Sequence, residues 1–114
     1  MTDTNLAVQL WNHKFRNPII PAAGPNVGSG RMVRYAAEGG AGGLLTKTIS
    51  REAAPVPHPN MVRFTKENLL NAELWSERSP EDWFDREYDI ALAAAREFDL
   101  PLIAGLGYTP EELA

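Results

Sequence analysis

Cysteine is absent from these 114 residues, which removes disulfides, iron–sulfur ligation and thiolate catalysis from what the chain can do by itself. Histidine is nearly absent too. His13 and His58 are the only two, and neither has a carboxylate or a second histidine at metal-ligand spacing, so no metal site is expected. Basic runs are lacking: the 11 Lys and Arg are scattered among 15 Asp and Glu, for a net charge of −4, which argues against a nucleic-acid partner. No apolar run approaches the roughly 20 residues needed to cross a bilayer. The opening Met1-Thr-Asp-Thr-Asn5 has no basic region followed by an apolar stretch. No membrane partner is therefore expected, and a cytoplasmic location is. At this length the chain holds at most one domain, with 44% hydrophobic residues to build a modest core.

Two short apolar runs dominate what is present: Asn17-Pro-Ile-Ile-Pro-Ala-Ala-Gly24 and Gly43-Leu-Leu-Thr-Lys-Thr-Ile-Ser50. Each stops abruptly at small or polar residues. Between them Ser29 reads as an N-cap, Met32, Val33, Ala36 and Ala37 form an apolar helix face, and Gly39-Gly40 ends the helix. Strand, helix, strand in this space predicts a βαβ unit with parallel neighbours at residues 19–23 and 44–49. Ala22, Ala23, Gly24, Lys47 and Thr48 would then collect at the carboxyl ends of adjacent strands, the edge where α/β proteins place ligands. Pro21 is awkward inside a strand because it cannot donate to the ladder. The glycine cluster 39–43 follows a helix and precedes a strand, the reverse of the dinucleotide-binding order, so it reads as a helix end rather than a phosphate loop.

Around this unit, residues 6–11 and 14–16 flank Asn12-His13 as a hairpin. Pro55, Pro57 and Pro59 stiffen an extended excursion, in which residues 61–65 are a possible short strand and 67–78 a loop or a turn of helix. Ser79-Pro-Glu-Asp82 is a strong helix start, and the helix is expected to run to Phe98 with Phe84, Tyr88, Ala91, Ala95 and Phe98 buried. A third parallel strand is expected at 101–106, and Thr109-Pro110-Glu111-Glu112 repeats the helix-start pattern. Trp75 and Trp83 are read as covering the core or an interface, and Asp82, Asp85, Glu87 and Asp89 as a solvated helix face rather than paired acid–base carboxylates.

Asn17-Pro-Ile-Ile-Pro-Ala-Ala-Gly24, then Gly39-Gly-Ala-Gly42, then Thr46-Lys-Thr48 together resemble the opening of the dihydroorotate dehydrogenase family, which includes the flavin-binding domain of dihydropyrimidine dehydrogenase. The likeness is clear over residues 6–50 and looser over 95–112. It implies an α/β fold: the amino-terminal portion of a TIM (β/α)8 barrel, with residues 1–114 forming an incomplete barrel domain. It also implies FMN over the carboxyl ends of the strands, with Ala22, Ala23 and Gly24 close to the flavin ring and Lys47 and Thr48 contacting flavin and substrate. Lys47 would be the catalytic residue, its ammonium stabilising negative charge on the flavin. Asn71 stands where the family's substrate-binding Asn-Ser-Met-Gly begins, and its amide could pair with a carbonyl and an N–H of a ring together. Here the segment is Asn71-Ala-Glu-Leu-Trp75 instead. Glu73 would repel a carboxylated ring such as orotate unless it points away or is protonated, whereas a neutral pyrimidine or another small unsaturated compound meets no such repulsion.

The family's active-site base and its late phosphate-holding loops have no counterpart in these residues, and three of eight strands cannot close a barrel, whose usual size is about 250 residues. The leading reading is the amino-terminal part of an FMN-dependent oxidoreductase that moves a hydride between flavin and a C–C double bond of a small-molecule ring substrate. Its open apolar edges would be covered by the remainder of the barrel or by an oligomer. The rival is a non-catalytic assembly or regulatory subunit derived from such a barrel. A flavin-free aldolase or synthase with Lys47 as Schiff-base former is a third.

Overall fold

A computed structural model describes residues 4–73, 75–109 and 111. Strands β1 (Val8–Leu10) and β2 (His13–Phe15) form an antiparallel hairpin, with Val8 opposite Phe15 and Leu10 opposite His13. Its turn is Trp11-Asn12, not Asn12-His13. Trp11 takes φ +50° and His13 is drawn into the ladder. Phe15 is the buried residue of the hairpin, its ring filling the place where a side chain on Gly43 would sit.

Residues 19–23 are not a paired strand, contrary to the sequence reading. Pro18 and Pro21 have no N–H to give. The Ile19 N–H bonds to the Asn17 side chain (3.0 Å), and that of Gly24 bonds back to Ala22 (2.7 Å). Gly42 N–H donates to the Ile19 carbonyl at 2.7 Å, and just before the segment Arg16 N–H donates to the Gly42 carbonyl at 3.0 Å and the Asn17 side-chain amide to the Gly40 carbonyl at 2.9 Å. A 3-10 turn, Pro25–Val27, follows.

Helix α1 (Gly30–Glu38) starts as its sequence predicts: the Ser29 hydroxyl accepts the N–H of Met32 at 3.3 Å. It ends in a Schellman arrangement, with Gly40 at φ +93°, its N–H on Ala37 and the N–H of Ala41 on Ala36. The buried face is Gly30, Val33 and Ala37, whereas Met32, expected inside, is exposed. Strand β3 (Leu44–Leu45) comes next. The expected strand 44–49 is broken at Lys47, whose N–H turns to the Val27 carbonyl (3.0 Å) and so anchors the turn that precedes α1.

The excursion holds a second hairpin. Strands β4 (Met61–Arg63) and β5 (Leu69–Asn71) pair antiparallel, with Val62 opposite Leu70. Thr65 closes the connection by accepting the N–H groups of Glu67 and Asn68. The short strand expected over 61–65 is found at 61–63, but its partner falls where a loop or helical turn is expected. Every residue of both strands is exposed.

The single helix expected over 79–98 is two, α2 (Pro80–Arg86) and α3 (Tyr88–Glu97), with a kink at Glu87. Ser79 caps α2 through the N–H of Asp82 (3.2 Å). The kink changes the buried face: Trp83 is 2% exposed, while Phe84 lies outside at 59% and leans on Tyr88 with ring centroids 5.2 Å apart. Helix α3 ends in a second Schellman turn, with Asp99 at φ +51° and the Leu100 N–H on Ala95.

Strand β6 (Leu102–Ile103) then lies parallel to β3, Leu44 opposite Leu102. The pairing continues past the assigned strands, with Thr46 N–H on Ile103, Ile49 N–H on Gly105 and Gly107 N–H on Ile49. The two-strand parallel register expected of 44–49 and 101–106 is therefore present, with α2 and α3 in the crossover. The core is Val27, Val33, Ala37, Leu44, Ile49, Trp83, Ala91, Ala95 and Leu100. This mixed arrangement is compatible with the opening of a barrel, and among the described residues its parallel strand pair is β3–β6. The helix expected from Thr109 falls largely outside the described residues. Among the described residues, no helix is long and apolar enough to cross a membrane.

Candidate functional site

The interruption after β3 decides where the chemistry-bearing side chains go. Because the Lys47 amide is spent on Val27, the side chain passes beneath the turn, its Cδ lying 3.7 Å from where a Cβ on Gly28 would be. It is 7% exposed. Its Nζ meets the Glu73 carboxylate at 2.6 Å, with 9% and 10% of the two side chains exposed. Asn71, the last residue of β5, donates Nδ2–H to the other oxygen of Glu73 at 3.2 Å. Lys47 and Asn71, both singled out from the sequence, are thus brought to one place by a carboxylate between them.

The hydrogen bond from Lys47 holds the Glu73 carboxyl below the usual carboxylate range. Burial pulls the other way, and Asn71, Glu77 and the Lys47 charge reinforce the lowering. Glu73 is therefore an anion at neutral pH, and both of its oxygens are engaged.

The small residues gather at Thr48, the next residue after Lys47. Gly105 accepts no side chain without crowding the Thr46 carbonyl (3.1 Å), and its Cβ position is 3.8 Å from both the Ala23 Cβ and the Thr48 Cα. Thr46, 1% exposed, fixes that approach by accepting the Gly105 N–H on its hydroxyl at 3.0 Å. Ala23 and Thr48 are therefore neighbours across Gly105. Ala22 and Ala23 are exposed, and open space surrounds the place where a Cβ on Gly24 would stand. Trp75 covers the next strand end: its ring lies 2.7 Å from a Cβ built on Gly107, as does the Thr48 methyl. Ser76, fully buried, pins this segment by accepting the Ser50 N–H at 3.0 Å.

A second network sets the position of the turn above Lys47. Arg78 donates Nε–H to the Gly28 carbonyl at 2.9 Å and pairs with Asp82 (2.8 Å) and Glu87 (3.1 Å). Glu87 in turn accepts the Gly30 N–H at 2.7 Å, a carboxylate at the positive end of α1. Asp82 and Glu87 are thus partners of Arg78 rather than the solvated residues expected. His13 and His58 are both exposed, and among the described residues no group of three or more His, Cys, Asp or Glu could hold a metal ion.

Sequence reasoning singled out Lys47, Thr48, Asn71 and the small residues 22–24. It noticed Glu73 only as a departure and missed its pairing with Lys47, because the two lie 26 residues apart and no local pattern connects them. Arg78, Ser76 and Gly105 were missed as well. The Gly105-Leu-Gly107 spacing just after a strand was the one signal that could have pointed to a close approach there.

The family described as dihydroorotate dehydrogenase matches this chain over residues 5–73, more than half of it. Three relatives, each named dihydroorotate dehydrogenase B (NAD(+)), catalytic subunit, are similar along most or all of it. The protein from Methanocella arvoryzae is 38% identical over 99 residues, covering 85% of this chain and 31% of that protein. The one from Pyrococcus horikoshii is 32% identical over 116 aligned positions (100% and 36%), and that from Pyrococcus abyssi 33% over 111 (96% and 35%). The chain spans about a third of the length of these relatives. By the match over residues 5–73 and the similarity of these relatives along most or all of its length, this chain belongs to the dihydroorotate dehydrogenase family.

Proposed function

We propose that this chain is the amino-terminal part of an FMN-dependent oxidoreductase acting on a C–C double bond of a small ring substrate. The observation that carries the reading is the meeting of Lys47, Glu73 and Asn71 beside the strand ends where Ala23, Thr48 and Gly105 converge. The open space at Gly24 and the exposed methyls of Ala22 and Ala23 fit the edge of a flat ring system, which small side chains let the backbone approach. When bound, FMN would supply hydride transfer. Ala22, Ala23, Gly24 and Thr48 would hold its ring. Lys47, fixed by Glu73, would present a positioned ammonium, and Asn71 would orient the substrate.

The remainder of the barrel, or a further subunit, would supply the acid–base group and the phosphate contacts. The ion pair of Lys47 with Glu73 weighs against the Schiff-base alternative, since an ammonium has no lone pair to offer a carbonyl.

The test uses the full-length protein. It should purify with a flavin spectrum, and Lys47→Ala should slow flavin reduction by substrate by about a hundredfold, the order lost when one preorganised charge donor is removed. Unchanged reduction would take Lys47 out of the mechanism, and a flavin-free full-length protein would end the oxidoreductase reading. One observation favours the second reading, a non-catalytic assembly subunit. The β4–β5 hairpin exposes Met61, Val62, Phe64, Leu69 and Leu70, an apolar arm of the kind that docks on another chain.

A further inference from the structure

We propose that Glu73 is the specificity-determining residue of this site: as an internal counter-anion to Lys47, it turns the site away from rings that carry a carboxylate and toward uncharged ones. The inference deepens the oxidoreductase reading and rests on it.

Lys47 and Asn71 alone would form a site of net charge +1, suited to an anionic ligand. Here the charge is cancelled from within. Glu73 Oε1 takes Lys47 Nζ at 2.6 Å and Oε2 takes Asn71 Nδ2 at 3.2 Å, so each oxygen of one carboxylate lies on a residue assigned to substrate. A carboxylated ring that approached Lys47 would bring a second anion against Glu73 or would have to displace it. The displaced side chain, now only 10% exposed, would then be a buried anion without its partner, a costly state. An uncharged ring asks for no such exchange. Its N–H groups can use the lone pairs that Glu73 still has free, because an ionised carboxylate offers about four acceptor sites. The two ways in which Glu73 could have been harmless to a carboxylate, by turning away or by carrying a proton, are both closed. It faces Lys47, and the hydrogen bond from Lys47 keeps it ionised.

The experiment measures binding, not turnover. Uracil and orotate differ by one carboxylate, so the dissociation constants of both for the full-length, flavin-loaded protein report the discrimination directly. They are read from perturbation of the flavin spectrum and by equilibrium dialysis. Wild type should bind uracil at least about tenfold more tightly than orotate, a gap of about 1.4 kcal/mol. Glu73→Gln, which keeps shape and hydrogen bonding but removes the charge, should tighten orotate by a similar factor, and adding Lys47→Met should abolish that gain. A wild type that prefers orotate overturns the inference without any variant. So does a Glu73→Gln protein whose orotate affinity is unchanged while uracil still binds to the wild type, and that result leaves the oxidoreductase reading standing. A full-length protein without flavin, or one that binds neither ring, overturns both.

Discussion

Lys47 and Glu73 together cost more to separate than to keep. Each side chain is about nine-tenths buried, so removing one leaves the other as an unpaired charge in a poorly hydrated place. Lys47→Met should therefore destabilise the folded protein by about 3 kcal/mol in urea unfolding, the range for breaking a buried pair. Lys47→Met with Glu73→Gln should recover much of that loss, and a double-mutant cycle measures the coupling. The same pair sets a pH dependence. The folded-state pKa of Glu73 lies below its unfolded value, so its contribution is fully present above the ordinary glutamate range and is lost as pH falls through the depressed value. The difference in melting temperature between wild type and Glu73→Gln should be widest near neutrality and should close on the acid side. A gap that instead widens in acid would mean Glu73 is not held ionised by Lys47.

The elements divide by how local their causes are. Ser29 and Ser79 were legible as caps because the acceptor and its N–H lie three residues apart, and both hydrogen bonds are made. The kink at Glu87 was not legible. It follows from a carboxylate reaching 57 residues back to the N–H of Gly30, and nothing in the run 79–98 announces that. Trp83 rather than Phe84 was then buried, because the kink sets a new phase for the face of α2. The strand expected at 19–23 failed for a cause that was visible, since Pro21 and Pro18 both lack donors and the ladder could not form around them. The Schellman turn after α3 offers a test at this scale. Asp99 occupies a left-handed position that glycine adopts without steric cost, so Asp99→Gly should raise stability by about 0.5–1 kcal/mol in thermal or urea unfolding. A loss of stability would show that the Asp99 side chain contributes something beyond the turn.

At the scale of the whole molecule, order is concentrated on one side. The parallel pair β3–β6 carries the core under α1 and α3, whereas the β4–β5 hairpin has no buried residue in either strand. Opening free energies should follow this division. In hydrogen exchange of the full-length protein, the amides of Leu44, Thr46 and Ile49 should be among the slowest, and those of Met61–Arg63 and Leu69–Asn71 should exchange orders of magnitude faster. Comparable protection in the two places would mean that the arm is covered by something, as the assembly-subunit reading requires. The hairpin had been half legible: Met61, Val62 and Arg63 read as a strand, but Leu69 and Leu70 lack the alternation that marks a half-buried partner, because neither face of this ribbon meets the core.

Glu87 lies in the outer layer, yet its reach to Gly30 has effects at the inner edge. Gly30 begins the helix that follows the turn at Val27, and the Val27 carbonyl receives the Lys47 amide. Arg78 closes the circuit by gripping both Gly28 and Glu87. The elbow of two surface helices and the seat of an interior ammonium are therefore set by one chain of contacts. Redesigning those helices for solubility or affinity tags would shift the seat of Lys47 as well, even with Lys47 and Glu73 left untouched.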